Sequence, residues 1–136
     1  MSTRLLLSGP PGTGKTTFAR ALCNTLQVPL VATSAATWLE PGYLGDVLQC
    51  ITATFAATRR APCILFIDEL DNIGSRGRNT GKHYDDYWTS LINRLLELLD
   101  GAAKTEGVIV VGATNLPDNI DPALLRSGRN CHVIEG

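Results

Sequence analysis

The feature that most constrains this chain is a glycine-rich run, GPPGTGKT, at residues 9–16. It follows the apolar segment RLLLS, which predicts a first strand over Arg4–Ser8, and it opens a predicted helix over Gly14–Leu26. The run matches the pattern G-x-x-x-x-G-K-[ST] in full, and between a strand and a helix that pattern predicts a phosphate-binding loop. The alternative is a glycine turn without a ligand, which the combination of strand, loop, lysine and threonine disfavours.

The residue types in this loop explain how it would hold a nucleotide. Glycines let backbone N–H groups turn toward the β- and γ-phosphates, and the N-terminus of the following helix adds a partial positive charge. The Lys15 ammonium would contact the β/γ-phosphate oxygens, and the Thr16 hydroxyl would ligate Mg²⁺. The predicted nucleotide-binding residues are Gly9, Pro10, Pro11, Gly12, Thr13, Gly14, Lys15, Thr16, Thr17 and Asp68.

The rest of the chain alternates short apolar runs with helical stretches. Further strands are predicted at Val28–Thr33, Cys63–Ile67, Val108–Gly112 and His132–Ile134, and further helices at Leu44–Arg59, Tyr84–Leu99 and Pro122–Leu125. A loop rich in Thr, Pro and Gly is predicted before the second helix, and Gly101 is predicted to cap the third. Strands that alternate with helices predict a parallel sheet covered by helices on both faces.

Composition and charge narrow the class of protein. The 136 residues suffice for one domain, and 44% hydrophobic residues with a net charge of −1 argue against disorder and against a strongly basic nucleic-acid binder. No apolar run approaches the ~18–20 residues that a membrane span needs. The four cysteines fit no zinc pattern, so we expect small buried hydrophobes in a reducing compartment and predict a cytoplasmic location.

A pair of acids ends the apolar segment CILFIDE at residues 63–69. Asp68, at the end of a strand beside the phosphate loop, could hold Mg²⁺ directly or through water. Glu69 could accept a proton from the attacking water as a general base. Two solvated acids are the alternative, which the preceding phosphate loop disfavours. Asp71 is interpreted as a structural acid.

Asn115 lies just past the predicted strand in VIVVGATNLP, at residues 108–117. Ligands gather at the carboxyl ends of the strands in a parallel sheet, so we expect Asn115 near the same water and γ-phosphate as Glu69. Its amide could orient that water or bind the phosphate. A simple turn before Pro117 is the alternative.

Two arginines, Arg126 and Arg129, follow the predicted short helix in DPALLRSGR. They could form surface ion pairs of little energetic consequence. They could instead be arginine fingers that stabilise charge in the transition state. Their spacing alone does not decide between the two.

Taken together, GPPGTGKT, ILFIDE, GATN and DPALLRSGR occur in the order and spacing of the AAA ATPases. The chain resembles that family from Leu5 to about Arg129, and Asp118–Arg129 resembles the second region of homology that marks AAA proteins proper. The resemblance implies a three-layer P-loop NTPase fold, α/β, with a parallel five-stranded sheet of order 5-1-4-3-2. It also implies a homo-oligomeric ring, usually hexameric, in which ATP hydrolysis drives remodelling or threading of a protein substrate.

The resemblance assigns roles on the phosphate side of the site. Lys15 and Thr16 match the Walker A residues, and Asp68 and Glu69 match the Walker B pair. Asn115 matches the residue called sensor 1. The resulting catalytic residues are Lys15, Glu69, Asn115, Arg126 and Arg129, the magnesium ligands are Thr16 and Asp68, and the implied cofactors are ATP and Mg²⁺.

The resemblance also implies contacts outside the chain. Arg126 and Arg129 would act on the ATP of the neighbouring subunit. Gly42–Gly45 resembles the loop of the central pore, so Tyr43 would grip a protein substrate; a turn with a core tyrosine is the alternative. Gly74–His83 falls where a second pore loop would lie, or forms a solvated loop. Its basic residues are Arg76, Arg78, Lys82 and His83.

Family members usually have a longer segment before the first strand and a helical lid after the sheet. We therefore expect residues 1–136 to form the large ATPase subdomain alone, without the C-terminal helical lid. The leading interpretation is ATP binding and Mg²⁺-dependent hydrolysis by this module, with no specific nucleic-acid partner and no membrane segment in this chain. The alternative is a truncated, catalytically incompetent fragment that binds a nucleotide or a partner. A small P-loop kinase is disfavoured, because Asp68, Glu69 and Asn115 suit activation of water.

Overall fold

The computed structural model of the chain describes residues 3–9, 14–59, 62–73, 82–105, 107–120, 123–124 and 131–135. These residues form the strands β1 (Thr3–Ser8), β2 (Leu30–Ser34), β3 (Cys63–Asp68), β4 (Val108–Thr114) and β5 (Cys131–Glu135). They also form the helices α1 (Lys15–Leu26), α2 (Ala35–Leu39), α3 (Leu44–Ala56) and α4 (Lys82–Ala103). Short 3₁₀ turns cover Ala57–Arg59, Leu70–Asn72 and Pro117–Asn119.

The five strands form one parallel sheet with the order β2-β3-β4-β1-β5. Read from the other edge, this is the order 5-1-4-3-2, which confirms the predicted fold. β1 lies between β4 and β5, with Leu5 opposite Val111 on one side and opposite His132 on the other. The sheet therefore pairs β1 with β4 and β5, which come much later in the sequence.

Helices cover both faces of the sheet. Successive side chains of β3 pack against helices on opposite faces. Cys63, Leu65 and Ile67 belong to a buried cluster with residues of α2, α3 and α4. Ile64 and Phe66 point to the opposite face and pack in a second cluster with residues of α1. Because successive side chains of a strand point to opposite faces, a strand covered on both sides must be apolar throughout. The continuously apolar strand CILFI therefore occupies the position that its sequence predicts.

The predicted loop after the second strand is wrong over residues 35–39, which form α2. Ser34 caps this helix, because its Oγ accepts a hydrogen bond from the Ala36 N–H at 3.1 Å. Trp38 is 1% exposed and donates from Nε1 to Thr54 Oγ1 at 3.0 Å. A single helical turn is too short for a hydrophobic period, so capping and the burial of Trp38 account for it.

The prediction that Gly101 caps the third long helix is also wrong, because α4 continues to Ala103. Leu99 and Ala102 are both buried, so the apolar face extends beyond the predicted end of the helix. The Thr105 hydroxyl donates to the Gly101 carbonyl at 3.0 Å near the end of the helix. Gly107, with φ of 89°, supplies the positive φ that leads into β4.

The boundaries of the other helices differ less from those that the sequence predicts. α4 begins at Lys82, so the predicted polar loop ends before that residue, and residues 74–81 lie outside the described parts of the chain. Of the predicted helix over Pro122–Leu125, only residues 123–124 are described, and they are helical. No helix within the described ranges is both long enough and apolar enough to cross a membrane.

Cys23 and Cys63 confirm the expectation of small buried hydrophobes, at 6% and 2% exposure. Burial raises the pKa of both thiols, and for Cys63 the nearby Cys23 adds to the increase in pKa. Both should therefore stay protonated and unreactive at neutral pH. Cys50 is half-buried, and the side chain of Cys131 lies outside the described residues.

We expect Gln27→Gly to raise the free energy of unfolding by about 0.5–1 kcal/mol. Gln27 ends α1 in the left-handed region, with φ of 57° and its N–H donating to the Cys23 carbonyl. Glycine adopts this conformation without the clash of a Cβ. Urea unfolding measures the change. The matched control is Gln49→Gly, at an exposed position inside α3, which should lower stability by ~1 kcal/mol. Losses of similar size in both variants would contradict the prediction.

Candidate active site

Three neighbouring strands end at the same edge of the sheet and bring the predicted residues to it. β3, β4 and β1 are adjacent and parallel, so their carboxyl ends share this edge. Gly9 follows β1, Glu69 follows β3 and Asn115 follows β4. This is the edge at which parallel sheets bind ligands.

The first turn of α1 supplies a helix N-terminus at this edge. Gly14 precedes the helix with φ of 87°, a conformation that glycine adopts without strain, and its carbonyl accepts from the Phe18 N–H at 2.8 Å. Thr16 and Thr17 lie in this turn, and both are exposed. The free N–H groups of such a turn attract anions. Pro10, Pro11, Gly12 and Thr13 lie outside the described residues, so their roles stay predictions.

Lys15 joins the phosphate loop to the end of β4. Its Nζ donates to the Gly9 carbonyl at 2.9 Å and to Asn115 Oδ1 at 2.8 Å. The Gly9 N–H in turn donates to the Thr114 carbonyl at 3.2 Å. Two residues that the sequence singled out independently are therefore in direct contact, although they lie 100 positions apart.

The acidic pair lies at the end of β3, with Asp68 as the last residue of the strand and Glu69 directly after it. Asp68 Oδ1 accepts from the Glu69 N–H at 2.8 Å, and Glu69 Oε2 accepts from Asn72 Nδ2 at 3.2 Å. Glu69 has φ of 56°. Residues other than glycine and asparagine seldom adopt this left-handed backbone region. Such strain persists only where the surroundings impose it, and it concentrates at functional sites.

Sequence reasoning missed Thr114, which is fully buried at the end of β4. Its Oγ1 donates to Asp71 Oδ1 at 2.7 Å and accepts from the Leu116 N–H at 3.0 Å. A hydroxyl inside an otherwise apolar buried strand needs a hydrogen-bond partner, and this is the signal that could have identified it. The contact with Asp71 supports the structural interpretation of that acid.

Thr16 and Asp68 offer oxygen atoms of the kind that Mg²⁺ prefers. The Thr16 side chain is exposed and Asp68 is half-buried, so the apolar core encloses neither of them. The described residues contain no group of three or more His, Cys, Asp or Glu that could hold a metal ion. The donor set therefore fits Mg²⁺ held by a few protein oxygens together with phosphate and water, which is its usual mode beside a nucleotide.

The other predicted residues lie apart from this cluster or outside the description. Arg126 and Arg129 lie outside the described residues. Tyr43 directly precedes α3 and is 79% exposed, so the alternative of a core tyrosine is wrong. Lys82 and His83 belong to α4.

Comparisons with known proteins agree with the geometry. The family model of the ATPase family associated with various cellular activities (AAA) matches residues 5–135. Over 126 residues the chain is 44% identical to the ATP-dependent zinc metalloprotease YME1 homolog of Caenorhabditis elegans, covering 92% of this chain and 17% of that protein. Over 129 residues it is 44% identical to the ATP-dependent zinc metalloprotease FtsH of Photobacterium profundum, covering 93% of this chain and 18% of that protein.

A third relative is the mitochondrial inner membrane m-AAA protease component yta12 of Schizosaccharomyces pombe, 44% identical over 126 residues. That match covers 91% of this chain and 16% of the relative. The chain thus spans less than a fifth of the length of these three curated relatives. Because the family model extends over nearly all of the sequence, the chain belongs to the AAA family of ATPases.

Proposed function

We propose that the chain binds ATP with Mg²⁺ and hydrolyses it. The observation that carries this proposal is the 2.8 Å hydrogen bond from Lys15 Nζ to Asn115 Oδ1. It brings the cation of the phosphate loop together with the amide that would orient water, at the edge where Asp68 and Glu69 also lie. Family membership supports the same chemistry.

Each side chain has a distinct task in this proposal. The Lys15 ammonium binds the β- and γ-phosphate oxygens. Thr16 and Asp68 would hold Mg²⁺, and the bound ion would supply positive charge beside those oxygens. Asn115 orients a water molecule, and Glu69 accepts its proton. The water oxygen forms a bond to the γ-phosphorus as the bond to the β–γ bridging oxygen breaks. ADP and inorganic phosphate are the products.

The proposal extends to assembly and substrate. The YME1 homolog and FtsH are named as ATP-dependent metalloproteases, which supports an AAA module that acts on protein substrates. In this proposal the module works in a hexameric ring. Arg126 and Arg129 would reach the ATP of the neighbouring subunit. Tyr43, exposed before α3, would contact the protein substrate. A cytoplasmic location stays a prediction.

We expect phosphate release from Mg²⁺-ATP, measured per chain, to rise with the concentration of the chain. The reason is that a neighbour completes each site, so mass action controls the active fraction. Complementation is the sharper form of this test. Glu69→Gln lacks the base, and the Arg126→Ala, Arg129→Ala double variant lacks the arginines. A mixture of these two inactive proteins should recover activity if the arginines act on a neighbour.

Two controls complete this experiment. Arg59→Ala removes an exposed arginine before β3, at the opposite edge of the sheet, and should leave turnover unchanged. Turnover that is independent of concentration and of both arginines would contradict the ring proposal. A folded protein that binds ATP and releases no phosphate at any concentration would instead indicate a nucleotide-binding module without catalysis.

A further inference from the structure

We propose that Thr114 is a positioning residue that holds Glu69 in register with Asn115. Thr114 is buried behind the site and need not contact the nucleotide. It acts through the 3₁₀ turn at Leu70–Asn72, which directly follows Glu69. The inference rests on the proposed hydrolysis of ATP, because it gives Thr114 a task in that reaction.

The Thr114 hydroxyl lies between the segment after β3 and the segment after β4. As a donor it binds Asp71 Oδ1 at 2.7 Å, and as an acceptor it binds the Leu116 N–H at 3.0 Å. Asp71 belongs to the turn after Glu69, and Leu116 directly follows Asn115. One buried hydroxyl therefore links the segment that carries the proposed base to the segment that carries the proposed water-orienting amide.

Hydrogen bonds hold Glu69 and the following turn together as one unit. The Asn72 N–H donates to the Glu69 carbonyl at 3.0 Å, and Asn72 Nδ2 donates to Glu69 Oε2 at 3.2 Å. The Ile73 N–H donates to the Leu70 carbonyl at 3.0 Å, and Ile73 is fully buried. Since Asp71 lies inside this unit, a shift at Asp71 is a shift at Glu69.

The same turn also approaches the backbone of β4 closely. A Cβ added to Gly112 would collide with Leu70 Cδ1, so the Leu70 side chain lies directly against the backbone of that strand. Glycine at 112 permits this approach. Two of the contacts among the described residues therefore attach the turn to β4, Leu70 on Gly112 and Asp71 on Thr114. Packing supplies the first contact, and a directional hydrogen bond supplies the second.

Thr114 is also connected to the phosphate loop. Its carbonyl accepts from the Gly9 N–H at 3.2 Å, and the next residue, Asn115, accepts from Lys15 Nζ at 2.8 Å. Continuous contacts thus lead from Lys15 through Asn115 and Thr114 to the turn and to Glu69. The Thr114–Asp71 bond is the directional step that joins the ends of β3 and β4.

The test is Thr114→Val, which keeps the shape of the side chain and removes the hydroxyl. We expect kcat for Mg²⁺-ATP to fall roughly ten- to hundredfold, because small misplacements of catalytic groups have effects of this size. The Kd for Mg²⁺-ATPγS should stay within about twofold, since Lys15 and the phosphate loop are unchanged. Thr114→Ser retains the hydroxyl and should retain most of kcat.

The matched control is Thr58→Val. Thr58 is a buried threonine at 3% exposure whose Oγ1 donates to the Phe55 carbonyl at 2.7 Å, beyond α3 and away from the site. It should lose stability without losing kcat per folded molecule. Equal losses of kcat in Thr58→Val and Thr114→Val would overturn the inference, and so would full turnover in Thr114→Val.

A second readout does not depend on hydrolysis. Amide hydrogen exchange at Asn72 and Ile73 reports the two bonds inside the turn, and it should accelerate roughly five- to tenfold in Thr114→Val. Amides of α3 should be unaffected. If the wild-type chain releases no phosphate, the proposed hydrolysis fails, and exchange alone decides whether Thr114 holds the turn. Unchanged exchange at both amides would overturn the inference.

Asp71→Ala completes the set. If Thr114 acts through its bond to Asp71, adding Thr114→Val to Asp71→Ala should cause no further loss of kcat. Additive losses would show that the residues act separately and would contradict the inference.

Discussion

Replacing Glu69 by glutamine should lower ATP turnover by roughly 10²–10⁴-fold, the range expected for a lost general base. The amide keeps the size of the side chain and an oxygen that can still accept from Asn72 Nδ2, as Glu69 Oε2 does at 3.2 Å. The geometry of the turn should therefore survive. Nucleotide binding should be unchanged or tighter, because one negative charge fewer faces the triphosphate. Phosphate release and calorimetric titration with Mg²⁺-ATPγS measure the two quantities separately.

Glu97→Gln is the matched control for this variant. Glu97 is an exposed residue of α4 whose Oε1 accepts from Arg94 Nη1 at 2.7 Å. Surface pairs of this kind contribute little, so turnover and stability should hardly change. If Glu69→Gln hydrolysed ATP as fast as the wild-type chain, Glu69 would not be the base.

Lys15→Ala should weaken the binding of Mg²⁺-ATPγS by roughly thirty- to several-thousandfold, which corresponds to ~2–5 kcal/mol for one partner of a close charged contact. The change removes the ammonium that would bind the phosphates. It also removes the donor that contacts Gly9 and Asn115, so both sides of the site lose a shared contact. Calorimetric titration measures the affinity directly.

Lys104→Ala controls for the loss of a positive charge. Lys104 is exposed after the end of α4, before the amino end of β4, and should leave the affinity unchanged. Far-UV circular dichroism and urea unfolding would show that both variants are folded. Wild-type affinity in Lys15→Ala would remove Lys15 from the proposed site.

Much of the fold could be predicted because its pattern is periodic and local. The strand order agrees with the resemblance, and the apolar strand β3 lies between two helical layers as its composition requires. The errors lie where a single contact outweighs the pattern. Trp38 and the Ser34 cap account for α2, which is too short to show a period. The apolar face of α4 continues to the buried residue Ala102, so the helix extends beyond Gly101.

The sequence predicted the site residues that directly follow the carboxyl ends of neighbouring parallel strands. Asn115 and Lys15 meet because β4 and β1 are neighbours and parallel. The left-handed backbone of Glu69 and the bond from Thr114 to Asp71 have no comparable local signature. The bond joins residues 43 positions apart, and only the folded chain brings them together. The roles of Arg126 and Arg129 stay predictions.

The position of β1 in the sheet determines when this site can form. β1 is the first strand of the chain, yet Leu5 pairs only with Val111 of β4 and His132 of β5 among the described residues. Both partner strands lie far along the sequence from β1, so their pairing with it closes long loops. Pairing between such distant segments is slow, and it leaves an apolar strand with unpaired edges in the meantime. The phosphate loop begins directly after β1 and contacts the end of β4 through Gly9 and Lys15, so bound nucleotide would report that these two strands have paired.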